Sequence, residues 1–189
     1  YDALAQDLKR RNEYPTRVLH LWSTEDDPAH GSATENFDEA QTRSFYSVIF
    51  LSQALAKASA TAPVQIGVVT NCLHSVFGDE LLRSNEATVL GACKVISQEY
   101  PNLRCRNIDV VLSDGGNAGA LIQEMSKEPF QAVVAYRKGR RWLENYDSIR
   151  LERPTAKMPV LADGGVYLIT GGLGNIALLL AEAIAAEVK

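Results

Sequence analysis

Residues 64–70, V-Q-I-G-V-V-T, are apolar almost without a break and rich in β-branched side chains. A strand that faces water on one side alternates apolar and polar residues. One that is covered on both sides does not, so this run predicts an inner strand of a parallel sheet. Ala60–Pro63 ends the segment before it, and the stretch 71–84 after it has loop composition.

The same pattern repeats outward. Upstream, residues 18–22 (V-L-H-L-W) predict a short strand, and 2–11 a helix with Ala3, Leu4 and Leu8 on one side. Phe37–Ala60 is the strongest helical pattern. Phe45, Val48, Ile49 and Leu55 recur at helical spacing, and Tyr46, Phe50 and Leu51 widen the stripe. A helix apolar over so much of its circumference is expected to be buried on two sides, with surplus surface for a partner. Downstream, 86–100 predicts a helix stopped by Pro101, 103–112 a strand, and 115–127 a helix. Residues 131–137 and 141–149 predict two strands turned at Lys138-Gly139. Alternating strands and helices predict an α/β fold: an open, mostly parallel sheet with flanking helices and mostly right-handed crossovers.

The bulk properties agree with one ordinary domain and a fragment of another. The chain has 189 residues, 46% hydrophobic and 22% charged, with a net charge of −4. That balance gives no electrostatic basis for binding nucleic acid. No apolar run reaches the length of a membrane span. The start, Tyr1-Asp2-Ala3-Leu4, carries no signal-peptide pattern, and its lack of Met suggests a segment of a longer chain. Cys72, Cys93 and Cys105 are odd in number and widely spaced, which predicts reduced thiols and a cytoplasmic protein.

Residues 153–165 have linker composition, and 166–189 form a different kind of segment. A β-branched run to Thr170 meets T-G-G-L-G-N-I-A (170–177) and then an apolar helix. Strand, tight glycine turn and helix N-terminus open a dinucleotide-binding unit, because the turn aims backbone N–H groups at a pyrophosphate. Thr170, Gly171, Gly172 and Gly174 are the candidate cofactor-binding residues. Such a unit needs several further strands, and only Lys189 follows.

Six segments together carry a family resemblance. They are V-L-H-L-W (18–22), S-F-Y-S-V-I-F-L-S-Q-A-L (44–55), V-V-T-N (68–71), A-T-V-L-G-A-C-K-V-I-S-Q-E-Y-P-N-L-R-C-R-N-I-D (87–109), V-V-A-Y-R-K-G-R-R-W (133–142) and the glycine turn. In this order they resemble the ketoreductase region of bacterial modular polyketide synthases. The resemblance implies that residues 1–152 are its structural subdomain, a truncated Rossmann-like fold without cofactor. It implies that 166–189 are the first strand and helix of the catalytic subdomain. It also implies a multienzyme parent that uses NADPH and carries acyl chains on phosphopantetheine. The implied partners are the catalytic ketoreductase half and neighbouring methyltransferase, enoylreductase or dehydratase domains, with an acyl carrier protein as a further candidate.

Catalysis in that family uses Tyr-x-x-x-Asn or Tyr-x-x-x-Lys with a Ser: the phenol protonates the carbonyl oxygen as hydride arrives. Here the seven tyrosines are followed four residues on by Ala5, Val18, Phe50, Arg104, Arg140, Arg150 and Gly171. None is Asn or Lys, so the segment is expected to be non-catalytic. The glycine turn departs too. The pattern is T-G-x-x-x-G-x-G, and Asn175 and Ala177 stand at its second and third glycines. The alternative is a short-chain reductase that binds NADPH and is completed by a second segment or chain.

Other candidates have simpler readings. His20, His30 and His74 make no metal set, and Cys72 with His74 lacks two further ligands. Ser75, His74 and Asp79 lack a nucleophile motif. Arg137, Lys138, Arg140 and Arg141 form a basic tip: a docking surface for an acidic carrier protein, or more simply a solvated hairpin. Trp22 and Trp142 are expected to pack in the core or at an interface. Glu25, Asp26 and Asp27 read as a solubilising loop.

Overall fold

The computed structural model describes residues 1–24, 33–58, 61–112, 118–151 and 161–188. They fall into two compact units, Tyr1–Asn145 and Tyr146–Lys189. The loop at 25–27, His30, the expected helix entry at 113–117 and most of the expected linker (152–160) lie outside the described residues.

The first unit contains α1 (Asp2–Arg10), β1 (Arg17–Ser23), α2 (Ala33–Gln41), α3 (Ser47–Ala58), β2 (Val64–Asn71), α4 (Thr88–Glu99), β3 (Leu103–Val110), α5 (Ala118–Glu124), β4 (Val133–Arg137) and β5 (Arg140–Leu143). The strands form one sheet in the order β1-β2-β3-β4-β5. The first four are parallel, and β5 returns antiparallel to β4. Register between β2 and β3 runs unbroken from Val64↔Leu103 to Asn71↔Val110, whereas β1 slips between His20 and Ser23. The expected open, mostly parallel α/β sheet is therefore present.

Each face of the sheet has its own cover. Ile66, Val68 and Cys105 project into a core with Val48, Leu51 and Leu55 of α3 and Val89, Ala92 and Ile96 of α4. Full burial of each such aliphatic side chain contributes about 1.5–3 kcal/mol. The opposite face is covered by α5 and the turn after it. Met125 lies against Gly67, where an added Cβ would collide with the Met125 Sδ and sit 3.1 Å from Leu19 Cδ2. A side chain at position 67 would therefore displace the Met125 side chain. Because α4 and α5 lie on opposite faces, the chain leaves β2 and β3 in opposite directions. The β3–α5–β4 crossover therefore has the opposite hand to the β2–α4–β3 crossover.

Three expectations need correction. The helix expected at 37–60 is, over the described residues 33–58, one helical run divided by a π turn at Thr42–Tyr46. The wider turn rotates the stripe that follows it. Val48, Leu51 and Leu55 are buried in the core and Ala54 and Ala58 pack with Ala5 of α1, while Phe37, Tyr46 and Phe50 stay exposed as surplus apolar surface. Next, β5 stops at Leu143 instead of continuing to 149, and its four residues pair with 134–137 of β4. Finally, residues 166–170 make no strand ladder among the described residues, and a strand exists only through its partner's hydrogen bonds.

The second unit contains α6 (Asn175–Glu187), which begins at Gly174. It is apolar, yet none of its described residues is buried: Ile176, Leu178, Leu179 and Leu180 are all exposed.

Candidate functional site

In open α/β sheets, ligands bind outside the carboxyl ends of the strands, where successive connections part to opposite faces. Here that point lies between β2 and β3. It is occupied by the protein itself. Asp109, near the end of β3, is fully buried. Its Oδ1 accepts from Thr70 Oγ1 at 2.7 Å and from the Leu73 backbone N–H at 2.9 Å. Its Oδ2 accepts from the His74 N–H at 3.0 Å and from Arg137 Nη2. The same Nη2 donates to the His74 carbonyl at 2.7 Å. Arg137 Nη1 donates to the Tyr136 carbonyl at 2.9 Å. The ion pair thereby clamps the start of the 72–80 loop over the strand ends.

Glu80 closes the other end of that loop. Its carboxylate accepts the backbone N–H groups of Val76 (2.9 Å), Phe77 (3.0 Å) and Gly78 (2.9 Å) and lies 3.7 Å from Arg137 Nε. These donors, Phe77 foremost, hold its pKa down at about 2.

Asn107 fixes His74 in the crevice. Its Nδ2 donates to the Val68 carbonyl (3.2 Å) and to Thr70 Oγ1 (3.0 Å). Its Oδ1 is therefore the acceptor facing His74 Nε2 at 2.9 Å, so Nε2 carries the proton and Nδ1 is the free acceptor.

A second buried cluster lies on the α5 face. The Glu124 carboxylate accepts from Arg106 Nη1 (2.8 Å), Tyr136 Oη (2.7 Å), and Arg141 Nε (2.7 Å) and Nη2 (2.8 Å). Burial opposes its ionisation, but hydrogen bonds from Arg141 and Tyr136 and the charges of Arg141 and Arg106 outweigh it. Its pKa falls below the usual carboxylate value. Burial, and then donation to Glu124, push the Tyr136 phenol up to about 12. Both clusters are closed sets of charged donors and acceptors. They can lock strands and loops together, and neither contains an activated nucleophile.

The residues singled out from sequence fare differently. Gly171 adopts φ +72, the left-handed conformation a tight turn needs. Gly174 N–H donates to its carbonyl at 2.9 Å and Gly174 caps α6. Thr170, Gly171, Gly172 and Gly174 are all exposed. The turn has the shape of half a phosphate cradle, but the described residues of that unit provide no walls for a ribose or a base. They do not make a site that fits NADPH.

The basic tip is divided: Arg137 is buried and Arg141 half-buried, whereas Lys138 and Arg140 are exposed. Arg137 is 2% exposed and holds Asp109, Arg141 holds Glu124, and the Lys138 ammonium lies 4.5 Å from the Phe77 ring centre. The hairpin is therefore not the four-cation surface the sequence suggests. The Ser75–His74–Asp79 set does not assemble: Ser75 Oγ donates to Glu80 at 3.3 Å, and His74 Nε2 is committed to Asn107. Among the described residues, no group of three or more His, Cys, Asp or Glu is placed to hold a metal. Trp22 and Trp142 are 58% and 36% exposed, so neither is a core residue. Among the described residues, no helix is long and apolar enough to cross a membrane.

Asp109, Asn107 and Arg137 were missed as a site because their partners come from three strands and a loop. The only sequence signal was that polar residues interrupt the inner strand β3.

Fold and site together define a Rossmann-like α/β module whose ligand crevice is filled from within. The chain belongs to the beta-ketoacyl synthase-like, N-terminal family, whose model matches residues 1–128. It is similar to a phenolphthiocerol/phthiocerol polyketide synthase polypeptide of Mycobacterium tuberculosis, at 27% identity over 166 residues. That match covers 87% of this chain and 9% of the relative. It is also similar to the polyketide synthase PksN of Bacillus subtilis, at 29% identity over 126 residues, 65% of this chain and 2% of the relative. The chain thus spans less than a tenth of the length of either relative.

Among solved structures it is similar to a multidomain structure of a keto acid-selecting NRPS module with adenylation, ketoreductase and pseudo Asub parts. The TM-score is 0.76 at 25% identity, covering 97% of this chain and 16% of that one. A C2-type ketoreductase from a modular polyketide synthase shares the fold, with a TM-score of 0.54 at 22% identity, covering 97% of this chain and 39% of that one.

Proposed function

We propose that residues 1–152 are the structural, non-catalytic subdomain of a polyketide synthase ketoreductase. In this reading the subdomain stabilises the catalytic half, or a neighbouring domain, of a cytoplasmic multienzyme that builds polyketides. Residues 166–189 begin the catalytic half, and NADPH and phosphopantetheine belong to the parent. The observation that carries this reading is the buried Asp109–Arg137 pair with its clamped loop at the strand ends. A dinucleotide would need that space. The missing Tyr-x-x-x-Asn or Tyr-x-x-x-Lys pair and the ketoreductase part of the similar NRPS module support it.

Calorimetric titration of the chain with NADPH tests it. The expected result is no saturable heat, together with co-purification of the chain with a separately expressed catalytic half. Saturable NADPH binding with carbonyl reduction by the chain alone overturns it.

The Gly171 turn and the Gly174 cap favour one second reading, in which the chain contributes to an NADPH site completed by another segment. In that case Gly171→Val, which is strained at positive φ, weakens NADPH binding by the reassembled protein without changing the first unit's stability.

A further inference from the structure

Beside the filled crevice lies a cavity of about 260 Å³ that none of the roles above uses. Its walls include Val76 from the loop, Val133 and Ala135 from β4, and Trp142 from β5, with His74 and Glu144 also lining it. Val133, Ala135 and Trp142 share one side of the sheet, because Val133 and Ala135 pair with Asn107 and Asp109, and Trp142 pairs with Ala135. This is the side that α3 and α4 cover over β1–β3. Over β4 and β5 the loop takes their place.

Two features give the cavity chemical direction. The Trp142 indole is held edge-on by Phe77, with ring centres 5.3 Å apart, so it is a fixed aromatic wall. His74 is a fixed acceptor. Asn107 is oriented by its own two donations and takes the Nε2 proton, so the Nδ1 lone pair has no protein donor among the described residues. An unused acceptor on a residue that lines a cavity with an aromatic and aliphatic wall, beside the polar Ser75 and Glu144, favours a ligand carrying one complementary donor. A cavity of about 150 Å³ accommodates benzene, so this larger one suits a one- or two-ring molecule.

We infer that this cavity is a binding site for a small planar aromatic ligand bearing a single N–H or O–H donor, stacked on or beside Trp142 and donating to His74 Nδ1. The inference is independent of the ketoreductase reading: it concerns the first unit's own surface and survives if that reading fails.

Indole and benzofuran are isosteres that differ in one N–H, and they are the probes. The whole chain is labelled with ¹⁵N-tryptophan, which gives two indole signals, from Trp22 and Trp142. Titration with indole should move the Trp142 signal saturably and leave the Trp22 signal in place. Benzofuran should bind about tenfold more weakly, the equivalent of about 1.4 kcal/mol for one net hydrogen bond. His74→Phe should reduce the preference for indole to about one. A Trp142 signal that does not move or never saturates overturns the site. Equal affinities for the two probes overturn the role of His74. If His74→Phe does not fold, the isostere comparison on the unmodified chain decides alone.

Discussion

Replacing Asp109 with alanine tests the clamp directly. The substitution removes the acceptor for Thr70 Oγ1, for the Leu73 and His74 backbone N–H groups, and for Arg137 Nη2. The Arg137 guanidinium, 2% exposed, then keeps only carbonyls and the more distant Glu80, 3.7 Å from Nε. Breaking a buried ion pair from one side costs about 3–5 kcal/mol, since the remaining charge stays desolvated. The two backbone N–H groups left without an acceptor add to that, each up to about 1–3 kcal/mol if no water reaches them. These terms share one site and do not sum, so a total near 4 kcal/mol is expected. This is a large part of the 5–15 kcal/mol typical of a domain.

Urea unfolding followed by tryptophan fluorescence is the assay, because Trp22 and Trp142 both lie in the first unit and report on it alone. Asp109→Ala/Arg137→Met should be less destabilised than the two single variants summed, by roughly 2 kcal/mol or more, because the double change removes both charges. A loss below about 1 kcal/mol for Asp109→Ala, or strict additivity in the double variant, would refute the clamp.

The remaining predictions use the other polar groups and the tight glycine. Glu80 has a folded-state pKa of about 2, below its ordinary 4.5, so its contribution is complete above pH 4.5 and is lost as pH falls from there towards 2. Glu80→Gln should flatten the stability profile in that window, read by urea midpoints at successive pH values. His20 is a base whose folded pKa is lowered to about 4, chiefly by burial. The unfolded chain takes up its proton first as pH falls below 6.5, so stability should decline from pH 6.5 to 4, by about 3 kcal/mol in all, and His20→Gln should remove that slope. Glu124→Gln should destabilise by about 2–4 kcal/mol, because it discharges the acceptor of Arg106, Tyr136 and Arg141. The same variant should bring the Tyr136 phenol down from about 12 in an ultraviolet titration. Gly67→Ala should cost about 1–3 kcal/mol by overpacking against Met125, and adding Met125→Ala should cost less than the two changes summed.

How far the sequence could be read depended on where each interaction was encoded. β2 was legible because both its faces are covered, so its apolar run is continuous over 66–69. The 42–46 π turn was not, since the apolar spacing runs through it with no glycine or proline to mark the extra residue. Arg137 and Arg141 read as surface cations because sequence shows charge and not burial. Their partners, Asp109 and Glu124, lie 28 and 17 residues away along the chain. The segment 166–170 has strand composition but pairs with none of the described residues, so its pattern states a preference that no ladder fulfils here.

The crevice also carries the wrong charge for a dinucleotide. A pyrophosphate site at strand ends works through unshielded backbone N–H groups and a helix N-terminus. Here the N–H groups of Leu73, His74, Val76, Phe77 and Gly78 are already turned inward onto two carboxylates, Asp109 and Glu80. Releasing the loop would free those donors but would leave both anions at the mouth, with one arginine between them. A phosphate about 5 Å from either carboxylate would meet about 3 kcal/mol of repulsion at an effective dielectric constant near 20. Restoring a nucleotide site would therefore require changes at Asp109, Glu80 and Arg137 together. Asp109 and Arg137 are also the residues that hold the strand ends in place, so substitutions that approach a nucleotide site one at a time would first loosen the fold.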